Sequence, residues 1–381
     1  MLEGPIRQRL ALTGILFTVL TISCTGIDTQ LTVVEVAKPL ENQPFAIRRL
    51  VALEDRSLEL GTIKKVRQFG DSGDLVVSDL SWSNRLYRFD RTGKFVASFD
   101  GLRQITSKSN ASLLDFDIGD RAAFLLTTEG VVKLDFETES QVGPVSLDVA
   151  RMGLAFQIAA VADGACVLGA KALQCFDRHV SSVATYSIAE AAKRFRYMFS
   201  AFLPFASFAQ SQVVIAHAYE PAISIYDTRT GVAKTLTFPG SIWKRDEFER
   251  TWAQLQTESR GVERDRVYER IRNSVRRMNW VLPAGDGRLV MRDWSQAPLV
   301  RDLLVLDPLT MKADRYNEGV GLLDSKDGRP RTNLLDLTVG FTPDGIVGRL
   351  PANELVAFSS YAETSVCKGA WQCLFFLSFP R

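Results

Sequence analysis

The chain of 381 residues carries 46 Lys and Arg against 44 Asp and Glu, a formal charge of +2, and 46% of its residues are hydrophobic. That is long and apolar enough for a large core, too apolar for a disordered chain, and too balanced in charge to favour a nucleic-acid partner. With 2 His in the whole sequence, a metal centre with three histidine ligands is excluded.

Residues 1–23 read as a signal peptide: Arg7 and Arg9 give a positive start, and the uncharged stretch Leu10–Ile22 follows. As a helix that stretch would rise about 20 Å, short of the roughly 30 Å hydrocarbon core of a bilayer. The ending Thr21-Ile22-Ser23-Cys24 resembles the lipobox of bacterial lipoproteins, with small Ser23 before Cys24 and Thr21 where Leu is usual. The resemblance implies a lipid-modified Cys24; an ordinary signal peptide cut nearby is the alternative. Residues 24–30 form a linker, and 31–381 form one domain. Leu31–Val36 is rich in β-branched residues, reads as a strand and has no hairpin partner nearby.

The stretch Gly73–Gly101 sets the pattern for the rest of the chain. Apolar Leu75–Val77, then Leu86–Phe89, the turn Asp90-Arg91-Thr92-Gly93 and the alternating run Phe95–Phe99 describe an antiparallel meander. An apolar strand ending in Asp before a turn returns at Asp135, Asp177, Asp227 and Asp307. The period is roughly 40–50 residues once a charged segment, 241–280, is set aside, the spacing of four-stranded propeller blades. The fold class expected is all-β, a six-bladed β-propeller with a helical insertion between blades four and five. Ser78–Lys94 resembles the repeat of NHL-type six-bladed propellers, matching at Asp79, Arg85, Leu86, Phe89, Asp90 and Gly93, with Ser83 and Asn84 where that family has Asn and His. The resemblance covers about 30 residues and implies fold, not activity.

Blades one to four are expected at 63–99, 112–147, 155–187 and 205–238, with a short helix at 187–199. In 241–280, Asp246 and Glu249 can cap a helix carrying Phe248, Trp252 and Leu255. A second helix would place Val267, Ile271, Val275 and Met278 on one face, packed on the propeller. Its other face is rich in arginine, laced with Glu263, Asp265 and Glu269, as a solvated face would be. A sixth unit from about Leu335 ends the chain after its third strand. Its missing outer strand is expected from Leu31–Val36, closing the ring and removing both edges.

Five cysteines are an odd number for an exported chain. Turning Ala165–Cys175 about Ala170-Lys171 sets Cys166 opposite Cys175, and Cys367 and Cys373 flank a short loop, so two disulfides are expected and Cys24 is left over. A metal site made of all four would need two remote hairpins to meet.

Catalytic signatures are missing: no GxSxG elbow, HExxH or Walker loop occurs, and His179 and His217 stand in no catalytic motif. Asp115 and Asp117 share a strand face, as solvation or calcium would equally require. These readings lead to a noncatalytic binding or scaffolding propeller of the bacterial envelope, exported and either lipid-anchored or periplasmic. It would be monomeric, without a cofactor or a nucleic-acid partner, its partner an envelope protein, peptide or glycan. The alternative is a metal-dependent hydrolase or lyase with its site at the central channel. Connections between blades, and those between second and third strands, share one face, and all the long ones fall there. The ligand candidates are placed over the channel on that face: Arg194, Arg196, Tyr197, Trp243, Arg276, Trp280, Arg292 and Trp294. With its first strand on blade six, the opposite face would be turned to the membrane.

Overall fold

The computed structural model describes residues within 30–36, 47–54, 62–99, 111–188, 205–239, 250–267, 277–316, 338–350 and 364–378, with short internal omissions. The expected signal segment, Cys24 and the body of the 187–199 helix lie outside the described residues. Five consecutive four-stranded antiparallel meanders span 63–99, 113–145, 155–187, 205–237 and 277–316. A sixth is built from Thr338–Thr342, Gly345–Leu350 and Gln372–Ser378 with Ile47–Leu53 as its outer strand. Their boundaries follow the expected strand–Asp–turn periodicity closely.

Middle strands are covered on both faces, so they read as continuous apolar runs: every residue of Asp74–Asp79, Ala122–Thr127 and Gly164–Gly169 is buried. Outer strands alternate instead, as Phe95–Phe99 does. The core is divided among the gaps between neighbouring sheets. Val76 and Leu86 of the first unit pack with Phe116 and Leu125 of the second, Ile215 and Tyr226 of the fourth with Cys166 and Leu173 of the third, and Val347 and Leu374 of the last with Val77 and Tyr87 of the first. Twisted four-stranded sheets packed face to face in sequence, the last against the first, define one architecture. The fold is a β-propeller.

The aspartates that mark the repeat each close the turn into an outer strand. One carboxylate oxygen accepts backbone N–H groups two to four residues ahead: Thr92 and Lys94 at Asp90, Glu137 and Thr138 at Asp135, His179 and Ser181 at Asp177, Arg229 and Thr230 at Asp227, and Leu309 and Thr310 at Asp307. The Thr92 hydroxyl, followed by these backbone donors, holds the Asp90 carboxyl below the ordinary carboxylate range.

The N-terminal segment departs from expectation. Leu31–Val36 does not complete the last unit: Gln30–Val33 lies parallel to the outer strand of unit four, Gln30 beside Lys234, and Glu35–Val36 parallel to that of unit five. The missing outer strand is Ile47–Leu53, antiparallel to Gln372–Ser378. A β-branched run marks a strand but not its partner; Val51 and Leu53 fill the gap between units six and one, and the Arg49 guanidinium sits 4.1 Å from the centroid of Phe376. The unit differs from the expectation but the direction does not: Gln30 lies beside the start of Ala233–Thr237, so the first strand still begins at the short-turn face. Closure also requires two glycines. A Cβ on Gly93, at φ +93°, would overlap the carbonyl oxygen of Ala52 in the closing strand, and one on Gly340 would overlap that of Val66, where the innermost strands of units six and one pair directly.

The segment expected as an insertion is helical at Arg250, Ala253, Gln254, Thr257 and at 262–263 and 265–267. Val267 is fully buried against units three and four. Its second helix does not reach Met278, because Arg277–Pro283 is the innermost strand of unit five. Met278, Val281 and Leu282 are buried there through a bulge between Met278 and Trp280, an irregularity that a helical period imitates. Both cysteine pairs are disulfides, with Cα separations of 4.1 Å for Cys166–Cys175 and 5.8 Å for Cys367–Cys373. Cys166 stands directly opposite Cys175, as the hairpin argument requires.

Candidate functional site at the central channel

The first strand of each unit faces the centre of the molecule, and its free edge leaves backbone groups without a sheet partner. Between units one, two and three, alternating side chains fill that need. Lys65 and Arg67 point from Ile63–Phe69 toward Asp115 and Asp117 of Leu113–Ile118, with Lys65 Nζ 2.8 Å from Asp115 Oδ1 and Arg67 Nε 2.6 Å from Asp117 Oδ1. The second oxygen of each carboxylate accepts from the next strand, from Ile158 N–H at 3.0 Å and Ala160 N–H at 2.8 Å. Each aspartate thus ties a cation on one side to a backbone amide on the other. The expectation of solvation or calcium at Asp115 and Asp117 is corrected by these partners. Burial lowers the pKa of Lys65, against the pull of Asp115.

Toward the end of the channel where the innermost strands run out lies a cavity of about 380 Å³. Arg67, Gln68, Asp117, Ser207, Phe341 and Thr342 line it, from units one, two, four and six. The Arg67 guanidinium is held from three sides: Asp117, the Val66 carbonyl at 2.9 Å, and the Phe341 ring, whose centroid is 4.1 Å away. These residues next to first-strand ends adjoin the short turns, none longer than the five residues 90–94, that also include the Asp-turns. The strand ends that bound the long connections 188–204, 238–276, 317–337 and 351–371 lie at the opposite face. Arg67, Ser207, Phe341 and Thr342 were missed from sequence. The only available signal was the polar alternation in Ile63–Phe69, meaningful once that strand is known to be innermost.

Of the residues chosen from sequence, Arg194, Arg196, Tyr197, Trp243 and Arg276 lie outside the described residues. Trp280 and Arg292 are direct cross-strand partners in unit five, and Trp294 follows two residues along, opposite Arg277. Arg292 is only 1% exposed. A surface contact does not suit it, because a residue on the second strand is covered by sheets on both sides. His179 is exposed in the turn after Asp177, and its Nε2 accepts from Arg178 Nε at 3.2 Å. His217 is 2% exposed. Its Nε2 is 2.8 Å from Ser224 Oγ, which is 3.0 Å from Thr235 Oγ1, a polar chain crossing unit four. Burial lowers its pKa to about 4. Among the described residues, no three His, Cys, Asp or Glu side chains come together as metal ligands, and no helix is long and apolar enough to cross a membrane.

No family model matches the chain, and no curated protein matches it. Among solved structures, it is similar to a protein assigned as exported from Bacteroides fragilis NCTC 9343, at 11% identity and a TM-score of 0.61, covering 92% of this chain and 100% of that one. The RRP9 WD40 repeats follow at 8% identity and a TM-score of 0.49 over 88% and 99% of the two chains. The Pan2 WD40 domain of Neurospora crassa gives 9% and 0.43 over 91% and 98%. At such identities the likeness speaks to fold alone.

Proposed function

We propose that the chain is a six-bladed binding or scaffolding propeller of the bacterial envelope, closed by Ile47–Leu53 and carrying a helical insertion before its fifth blade. The observation that carries this reading is the asymmetry of its connections. Within the units, the strand reversals on one face are turns of five residues or fewer, and the long connections between and within units, such as 238–276 and 351–371, leave from strand ends at the other, the usual place for recognition on a rigid scaffold. At the channel, the carboxylates of Asp115 and Asp117 are engaged with cations and backbone amides and hold the strands together. A partner would be met on the elaborated face by Arg194, Arg196, Tyr197, Trp243, Arg276, Trp280 and Trp294.

Export rests on the N-terminal segment and on the disulfides, which persist in oxidising compartments. The assignment of the Bacteroides fragilis protein as exported is consistent with it. With four cysteines paired, Cys24 is left as the lipid-bearing one. The NHL-like repeat at Ser78–Lys94 belongs to this reading too. Affinity capture from the envelope fraction tests it: a partner should be retained by the wild-type chain and by Arg229→Glu on the short-turn face, and lost by Trp243→Ser or Arg196→Glu. Equal retention by all variants would overturn the choice of face, and Cys24→Ser should release the protein from membranes.

A further inference from the structure

We infer that the cavity at the short-turn end of the channel is a second binding site, for a small uncharged polyhydroxylated molecule of monosaccharide size. The inference rests on the reading of the chain as a binding propeller but concerns the opposite end from the proposed partner face. Size comes first, since about 380 Å³ lies within the range of small-molecule sites and exceeds the space of a few waters.

Charge decides the class. Among the described residues of the lining, Arg67 and Asp117 are the only ionised ones, and they neutralise each other across 2.6 Å. An anion would set its charge beside Asp117, and a cation beside Arg67. Either would leave an uncompensated charge in a partly enclosed site, which costs far more than a neutral ligand does. A cation would have to share oxygens of Asp117 that already accept from Arg67 through Oδ1 and from Ala160 N–H through Oδ2, with the Arg67 charge beside it. Arg67 spends Nε on Asp117 and Nη1 on the Val66 carbonyl, which leaves Nη2 as a donor. Gln68 adds a planar amide that both donates and accepts, and Ser207 and Thr342 add hydroxyls of the same dual character. Ile118 and Pro283 supply apolar surface between them. Neutral donors and acceptors interspersed with apolar patches, with no net charge, match a ring or chain of hydroxyls on a hydrocarbon frame.

Saturation-transfer NMR and titration calorimetry on the full chain test this, with glucose, galactose, N-acetylglucosamine and mannitol as uncharged probes and glucuronate and glucosamine as charged ones. At least one uncharged probe should bind saturably, and its charged counterpart should bind about tenfold more weakly or worse. Ser207→Phe, which fills the cavity, should abolish binding. Thr342→Val, which keeps the shape and loses one hydroxyl, should weaken it by about fivefold or more with an unchanged melting temperature. No saturable binding of any uncharged probe, equal binding of a charged one, or binding indifferent to Thr342→Val in a folded protein would overturn the inference. Capture of a partner through the long-connection face would survive each of these outcomes, so the two readings fail separately.

Discussion

Asp117 holds three strands with one side chain, and its loss should be felt at two of them. Asp117→Ala leaves the Arg67 cation without its partner and the Ala160 N–H without an acceptor. The expected cost is about 3–5 kcal/mol in urea unfolding. Asp117→Leu combined with Arg67→Met should recover much of that loss, because removing both charges also removes their desolvation. His217 gives a second prediction, in pH. Its folded pKa of about 4 lies below its ordinary 6.5, so the unfolded chain binds the proton first. Its contribution is complete above pH 6.5 and is lost as pH falls from there toward 4. At about 1.4 kcal/mol per pH unit, wild type should lose roughly 2 kcal/mol between pH 6.5 and 5 from this group. The comparison is with His217→Gln, which cannot take up that proton and should lose correspondingly less over the same interval. Equal losses would show that burial of the ring is not what makes the protein acid-sensitive.

At the scale of elements, the closing strand is the most exposed to test. A chain lacking residues 1–46 keeps Ile47–Leu53 and should unfold cooperatively; one lacking 1–54 leaves Gln372–Ser378 without its outer neighbour and should aggregate or melt at lower temperature. Gly93→Val, which must push against the Ala52 carbonyl from a positive φ, should cost about 1–3 kcal/mol in the longer chain. If it costs nothing, the closing strand does not run beside that turn. The local devices were readable from sequence because each is written within a few residues. The Asp-turns declare themselves by a strand, an aspartate and a turn, and the Cys166–Cys175 hairpin by symmetric spacing about Ala170-Lys171. Pairing between distant segments has no such local record. Leu31–Val36 was recognisable as strand, yet nothing in it distinguishes the rim of unit six from those of units four and five. Ile47–Leu53, interrupted by Arg48 and Arg49, looks less apolar than the strand it is. The cavity was hidden for the same reason, since Arg67, Ser207 and Thr342 become neighbours only when the inner strands of units one, four and six converge.

The whole molecule is asymmetric in its connections: short Asp-turns and strand reversals join the strand ends on one side, and the strand ends that bound 238–276 and 351–371 lie on the other. Its rigidity comes from the apolar packing between successive sheets, from the innermost strands of units six and one pairing directly, and from carboxylates bridging units one to three. A scaffold held so at its centre can vary long loops without loss of fold, which is why the partner is placed on that side. Photocrosslinking in living cells tests this placement most directly, with benzoylphenylalanine introduced singly at Arg196 and Trp243 in the long connections and at Thr92 and Arg229 in the short turns. The account predicts a discrete crosslinked partner from Arg196 or Trp243 and none from Thr92 or Arg229. Crosslinks of equal strength from the short turns, or from those turns alone, would contradict it.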